Sequence, residues 1–226
     1  MTPSALSIAV LLAGCYRAPD LPVTPYQTPV LVSTGENGRE VCAPARPVRV
    51  SRVLDGDTIE LPPANGNPPE TVRLLGVNTP EIAHPTNAAE CYGDLAAAET
   101  ARVLLNRVVT LSFDKSCKDA NDRTLGYIWL DLSDAENLLS PEIVGQMVDE
   151  GQIDTGDPIP KVLYNEYLIR AGFACRFKRE DIETLYLEQQ LVAAERVAKI
   201  HAAGIWRACP GESIEYCPEL ALETPR

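Results

Sequence analysis

The chain has 226 residues, a net charge of −12 and an isoelectric point near 4.6. That length is enough for one good-sized core with room for tails or one small extra unit, and the 45% apolar content is ordinary for a globular protein. The acidic balance argues against a protein that holds nucleic acid by a broad positive face, but leaves room for a small local anion site.

The first feature along the chain is "ALSIAVLLAGC" (Ala5–Cys15), a short apolar run ending in small residues. It is too short to span a bilayer and reads as the h-region and cleavage zone of a secretory signal. Its end, "LAGC" (Leu12–Cys15), resembles the lipobox of bacterial lipoproteins, although no Lys or Arg precedes Arg17. That resemblance implies a signal peptide over residues 1–14 and a lipid-modified N-terminus at Cys15; the plainer alternative is an ordinary secretory signal with an incidental Cys. Removing residues 1–14 removes no charged side chain, so the mature chain stays acidic. Residues 15–46, with "APDLPVTP" and "CAPARP", read as an extended tether.

The domain is expected over residues 47–208. "VRVSRVL" alternates as a strand, "DGDT" turns, and "TIELPP" is a second strand ended by prolines. "ANGNPPE" is the strongest hairpin signal, and "TVRLLGV" is the third strand. After the loop Asn78–Tyr92, "GDLAAAETARVLLNR" suits a helix with Asp94 in its first turn. "VVTLSFD" and "LGYIWLD" are two further strands. Residues 132–161 break the pattern as an insertion, with a short helix in "SPEIVGQMVDEG". "VLYNEYLIRAG" reads as a helix ending at Gly172. In the last long segment Leu187, Leu191, Ala194, Ala198 and Ile205 fall on one helical stripe. Residues 209–226 form a tail. The predicted fold is mainly β with appended α: a five-stranded OB-type barrel plus about three helices.

Export would put the chain in an oxidising compartment. Setting aside Cys15, Cys42, Cys91, Cys117, Cys175, Cys209 and Cys217 can form up to three disulfides. With two His and no C-x-x-C pair, a zinc site is not expected.

Polar residues collect at the strand ends. Asp55 and Asp57 lie in "LDGDTIE", and Asn78, Thr79 and Glu81 in "VNTPE". Arg73 lies on the third strand and Arg123 just before the fifth. Two carboxylates and an amide can bind a hard cation through oxygen. Two guanidiniums can grip a phosphate bidentately, and a nearby carboxylate can orient or deprotonate water. These are the parts of metal-assisted phosphodiester hydrolysis. Taken singly each has a plainer reading: a turn, a loop start, a surface ion pair. Their joint order is what carries weight.

That order resembles the staphylococcal nuclease (thermonuclease-like) family. "VLDGDTIEL", "VRLLGVNTPEIAHP", "ECYG", "DRTLGYIWLD", "YNEYLIRAGFA" and "AAGIW" follow one another as in that family, over residues 48–207 apart from the insertion. The resemblance implies a Ca²⁺-dependent endonuclease that hydrolyses DNA, with RNA as a second substrate, to 3′-phosphate products; with the signal segment, the expectation is an exported one. It implies Asp57 as a calcium-binding aspartate, with the Thr79 main-chain carbonyl beside it. Glu81 corresponds to the residue that activates water, Arg73 and Arg123 to the phosphate-gripping arginines, and Leu125 to a residue of the base pocket. It also sets Cys91 and Cys117 near one edge of the site, making a Cys91–Cys117 bridge attractive. Cys209 and Cys217 close a short C-terminal loop and could pair with each other or with Cys42.

Three positions depart from the family. Asn78 stands where a second calcium-binding aspartate is expected, which removes one negative charge, and Asp55 is the nearby carboxylate that could compensate. Asn121 replaces a tyrosine and Asp122 a glycine beside Arg123; a carboxylate there could repel substrate or pair with an arginine. "CRFKR" (Cys175–Arg179), with Lys115 and Lys118, could form a local basic rim. His84 reads as a loop residue. Expected partners are nucleic acid and, through Cys15, a membrane; no protein partner is predicted. The competing reading is a catalytically weak module of the same fold that binds a ligand or partner.

Overall fold

The computed structural model describes residues 41–155, 159–177, 184–209, 211 and 217. The expected signal segment, Cys15 and most of the tether lie outside the described residues, as do Lys178 and Arg179 and most of the C-terminal tail.

The expected first strand is present in two parts, β1 (Arg46–Arg49) and β2 (Arg52–Val53). The break has a clear cause. Val50 donates its N–H to Arg107 O on one side, and Ser51 donates to Glu60 O on the other, so the stretch changes partners midway. β3 (Thr58–Leu61) and β4 (Glu70–Leu74) form the hairpin around the Asn/Gly/Pro loop, with Thr58 opposite Arg73. β5 (Val77–Asn78) follows a turn at Gly76, and α1 (Gly93–Leu104) begins where the "ECYG" motif ends. β6 (Val108–Ser112) and β7 (Thr124–Asp131) complete the main sheet, whose order is β1-β6-β7-β4-β3-β2. β1 and β2, the two ends of that path, are neighbours in the chain. β4 runs parallel to β7 and the other pairs are antiparallel.

The fold is thus mostly β with helices, as expected, but the count is finer than five strands and three helices. Residues 132–161 do more than interrupt the pattern. They form α2 (Leu132–Leu138), α3 (Pro141–Asp149) and β8 (Ile153–Asp154), which pairs with β9 (Lys161–Leu163). β9 in turn pairs with β7, so this segment extends the sheet. The expected helix over "VLYNEYLIRAG" therefore begins late, as α4 (Tyr164–Arg170), because its first residues are recruited into β9. β10 (Cys175–Arg176) pairs with β5. The last long helix is split into α5 (Glu188–Ile200) and α6 (Ile205–Ala208). Leu191, Ala194, Ala198 and Ile205 of the expected stripe are all fully buried.

The core lies between the sheet and α1, α4 and α5, built from residues such as Ile59, Val72, Val103, Ile128, Leu168 and Leu191. One buried polar side chain holds its layers in register. Asn165 of α4 accepts from Ile128 N of β7 (2.9 Å) and donates to Leu75 O in the turn after β4 (2.9 Å).

Three disulfides are formed: Cys42–Cys117, Cys91–Cys209 and Cys175–Cys217. The expected Cys91–Cys117 bridge is not among them, nor is Cys209–Cys217. Cys42 donates its N–H to Asp114 O, which lays the segment before β1 against the loop after β6 and brings Cys117 within reach. Cys91 instead meets the end of α6, where Cys209 is fully buried.

Candidate active site

Arg73 is the centre of the site. Its neighbours follow from the local chain path. Gly76 turns the backbone at φ 70°, a conformation that glycine adopts without strain, and a Cβ there would strike Leu191 of α5. The turn wraps the chain around the guanidinium, which donates to Leu74 O (3.0 Å) and Val77 O (2.7 Å) from Nη1. Nη2 lies 3.0 Å from Asp57 Oδ2 and donates to Asn78 Oδ1 at 3.2 Å. Phe177 presents its ring 5.7 Å from the guanidinium carbon. The Arg73 side chain is only 11% exposed.

Asp57 is held equally firmly. Its Oδ2 also accepts from Thr79 N–H (2.9 Å) and its Oδ1 from the Thr58 hydroxyl (3.0 Å). Its own N–H donates to Asp55 Oδ1 at 2.9 Å. The "DGDT" turn is anchored from behind by Thr100 of α1, whose hydroxyl donates to Gly56 O (2.6 Å) and contacts Tyr164 Oη (3.1 Å). Burial, reinforced by the charge of Asp57, pushes Asp55 up to about 7.

Glu81 is half-exposed on the next loop, with His84 Nε2 at 3.7 Å from its carboxylate. Burial raises it above the usual carboxylate range, and the nearby charges of Asp57 and Glu90 add to the effect. Its backbone is clamped by Glu90: the Glu90 carboxylate accepts Glu81 N–H at 2.8 Å, and Glu90 N–H donates to Glu81 O at 2.9 Å. This accounts for the "ECYG" motif. Glu90 holds the Glu81 loop, Cys91 forms a disulfide, Tyr92 takes φ 76°, and Gly93 lies so close to Glu81 O that no Cβ fits.

Arg123 lies just before the neighbouring strand β7, two residues ahead of Leu125, which pairs in register with Arg73. Its guanidinium bonds Asp119 (Nε to Oδ2, 2.7 Å), and Asp119 Oδ1 accepts the Arg123 N–H (2.9 Å). Burial works to raise Asp119, but the bonds from Arg123 and Asn121 outweigh it and hold the carboxyl below its usual range. Leu125 is buried in the core. Asp122 takes φ 61°, and its side chain is exposed and pairs with Lys118 at 3.5 Å, so the carboxylate there meets a lysine rather than an arginine. Of the expected basic rim, Lys118 is engaged with Asp122 and Arg176 with Glu188.

Asp57, Arg73, Asn78 and Thr79 are therefore brought together directly. Glu81 is coupled to them through charge, whereas Arg123 is placed near them by strand register alone, with its guanidinium on Asp119. Glu90, Asp119 and Asn165 were not singled out from the sequence, although each holds one of the site's walls. For Asp119 a signal exists: an acid four residues before an arginine across a polar turn, "DANDR".

Among the described residues there is no group of three or more His, Cys, Asp or Glu arranged to hold a metal ion. The oxygens of Asp57 and Asn78 nevertheless form a hard donor set, close enough together to share one guanidinium. Such a set fits a hard cation in kind. It carries one carboxylate fewer than a paired-aspartate site, and a cation would have to share both oxygens with Arg73.

Comparison with known proteins assigns the class. The family model for staphylococcal nuclease homologues matches residues 71–208, and the chain belongs to that family. It is 43% identical over 81 residues to the thermonuclease of Staphylococcus intermedius, covering 36% of this chain and 47% of that protein. Endonuclease YncB of Bacillus subtilis is 33% identical over 96 residues, covering 42% of this chain and 44% of that protein. An uncharacterized protein of Methanocaldococcus jannaschii is 28% identical over 176 residues, covering 70% of each. The chain spans about half the length of the thermonucleases it matches.

Proposed function

We propose that the chain is a Ca²⁺-dependent nuclease that hydrolyses phosphodiester bonds of DNA, and of RNA as a second substrate, to 3′-phosphate products. The observation that carries the reading is the constellation at Arg73: a buried carboxylate at 3.0 Å, an amide oxygen at 3.2 Å, and Glu81 on the adjoining loop, all within a chain of this family.

Arg73 and Arg123 bind the scissile phosphate and stabilise the charge that grows on its oxygens as water adds. Donors fixed before the reaction need no reorganisation as that charge develops, which is why losing one costs roughly a hundred-fold or more. Arg73 meets this requirement through its backbone and carboxylate anchors, and Arg123 through Asp119. Glu81 accepts the proton of the attacking water, and its raised affinity for a proton suits a general base. Asp57, Asn78 and the Thr79 carbonyl are the residues that would hold Ca²⁺, which supplies positive charge beside the bound phosphate.

We also propose that the mature chain is exported and lipid-anchored at Cys15. Three disulfides support an oxidising compartment. Mass spectrometry of the mature N-terminus tests the anchor: an unmodified end at another residue rejects it.

Activity is tested with protein lacking residues 1–14, single-stranded DNA, millimolar Ca²⁺ and an EGTA control. Cleavage is expected, blocked by EGTA and reduced at least roughly a hundred-fold in Glu81→Gln at unchanged melting temperature. No cleavage by the parent at millimolar Ca²⁺ would favour the second reading, a binding module of this fold. The observation on that side is Asn78, whose oxygen is engaged by Arg73 where a charged ligand is expected.

A further inference from the structure

Each of the three disulfides joins one wall of the site to a flank of the chain. Cys91, Cys117 and Cys175 lie inside the family match at 71–208, whereas their partners Cys209, Cys42 and Cys217 lie outside it.

The inner cysteines are placed with a pattern. Cys91 directly follows Glu90, whose carboxylate and N–H both hold the Glu81 backbone. Cys117 lies two residues before Asp119, which fixes Arg123, and its carbonyl accepts Leu125 N–H at 2.8 Å. Cys175 is the register partner of Asn78 in the β5–β10 pair, and Asn78 Nδ2 lies 3.9 Å from the Cys217 sulfur. One disulfide thus serves the Glu81 loop, one the Arg123 loop and one the Asn78 strand.

Cys175, Cys209 and Cys217 belong to a small second cluster with Ala198, Ile205 and Trp206, apart from the main core. The main core is a continuous apolar cluster threaded through the sheet and α1, α4 and α5. β10 is also fastened to α5 by Arg176, through its N–H to Glu195 (2.8 Å) and its guanidinium to Glu188 (2.7 Å). Opening the disulfides therefore loosens the walls of the site and the small cluster behind two of them, while the main core between the sheet and α1, α4 and α5 remains.

We propose that Cys42–Cys117, Cys91–Cys209 and Cys175–Cys217 are positioning elements of the site, by which the chain's flanks clamp the Arg123, Glu81 and Asn78 walls, so that catalytic competence follows thiol oxidation. This rests on the nuclease reading above. In the switching step each disulfide takes two electrons and two protons from a dithiol, giving two cysteine thiols while the dithiol closes to its own cyclic disulfide. Cys42 is exposed and Cys175 and Cys217 are both buried, so the Arg123 clamp opens first and the Asn78 clamp last.

The experiment uses protein lacking residues 1–14, oxidised or reduced by dithiothreitol and capped with iodoacetamide, with helicity followed by far-UV circular dichroism. Three double variants separate the clamps. The reduced, folded protein is expected to lose at least thirty-fold in kcat on single-stranded DNA, and uncapped protein to recover on reoxidation. Cys175→Ala with Cys217→Ala is expected to weaken Ca²⁺ binding in calorimetry at least fivefold. Cys42→Ala with Cys117→Ala is expected to leave Ca²⁺ binding unchanged and to lower kcat/KM. Cys91→Ala with Cys209→Ala is expected to lower kcat at unchanged KM. If full reduction unfolds the chain, the double variants carry the test on folded protein. A reduced, folded protein within twofold of the parent overturns the proposal, as does activity lost only in step with melting temperature and alike in all three variants. An oxidised parent that cleaves nothing overturns the nuclease reading and this one with it.

Discussion

Asn78 contributes an oxygen but no charge to the wall it shares with Asp57 and Arg73. Its Oδ1 accepts from Arg73 Nη2 at 3.2 Å, so a carboxylate there would pair with the guanidinium and add charge for the proposed cation. Ligand charge is a main control of calcium affinity, and Asn78→Asp is predicted to tighten Ca²⁺ binding by roughly tenfold in isothermal titration. An unchanged Kd would mean that the bound ion does not use this position. Site residues of this kind are legible in the sequence because they are local: Arg73, Asn78, Thr79 and Glu81 fall within one strand, its turn and the next loop. Their supports are not legible. Asn165 holds Leu75 O across 90 positions, and Thr100 holds Gly56 O across 44, and no short pattern announces either. Disulfide pairing is not legible either. The family resemblance implies Cys91–Cys117, whereas each of these cysteines pairs with one from a flank outside the family match.

At the level of elements, alternation and glycine or proline punctuation locate β3, β4, β6, β7 and α1 well. β9 is missed because Val162 and Leu163 read as the start of a helix, and pairing with β7 makes them a strand. The same segment buries a polar network beneath α3, α4 and α5. Glu166 is fully buried, accepting from Arg170 (2.9 Å) and Gln190 Nε2 (2.6 Å), and Arg170 also pairs with Glu150. Burial pushes Glu166 up to about 7 despite Arg170 and Gln190, and Glu150 adds to the rise. The folded state then holds this proton more tightly than the unfolded chain, whose carboxyl titrates near 4.5. Stability from this group is full below pH 4.5 and is lost as pH rises to about 7, by on the order of 3 kcal/mol at most. Glu166→Gln removes that slope. Its melting temperature is predicted to fall less than the parent's between pH 5 and 7.5. Parallel pH profiles for the two proteins would show that Glu166 stays ionised in its pair with Arg170.

For the whole molecule, the acidic balance sets how substrate arrives. A net charge of −12 repels a polyanion at long range, whereas Arg73 and Arg123, each held by a carboxylate, offer local positive charge. These two influences respond differently to salt. Repulsion between exposed charges is screened within about 10 Å at 0.1 M ionic strength. Arg73 is 11% exposed and makes its contacts at short range, where screening is weaker. A nuclease that collects DNA on a basic face loses affinity steeply as salt rises, because it gives up counterion release. The opposite initial trend is predicted here: at fixed Ca²⁺, kcat/KM on single-stranded DNA should rise between about 10 and 100 mM NaCl as repulsion is screened. Above that range it should level and then decline as the arginine–phosphate contacts weaken. Stopped-flow or steady-state rates on a short labelled oligonucleotide measure this directly. A steady fall from the lowest salt upward would mean that a local basic rim, rather than the molecule's overall charge, governs encounter.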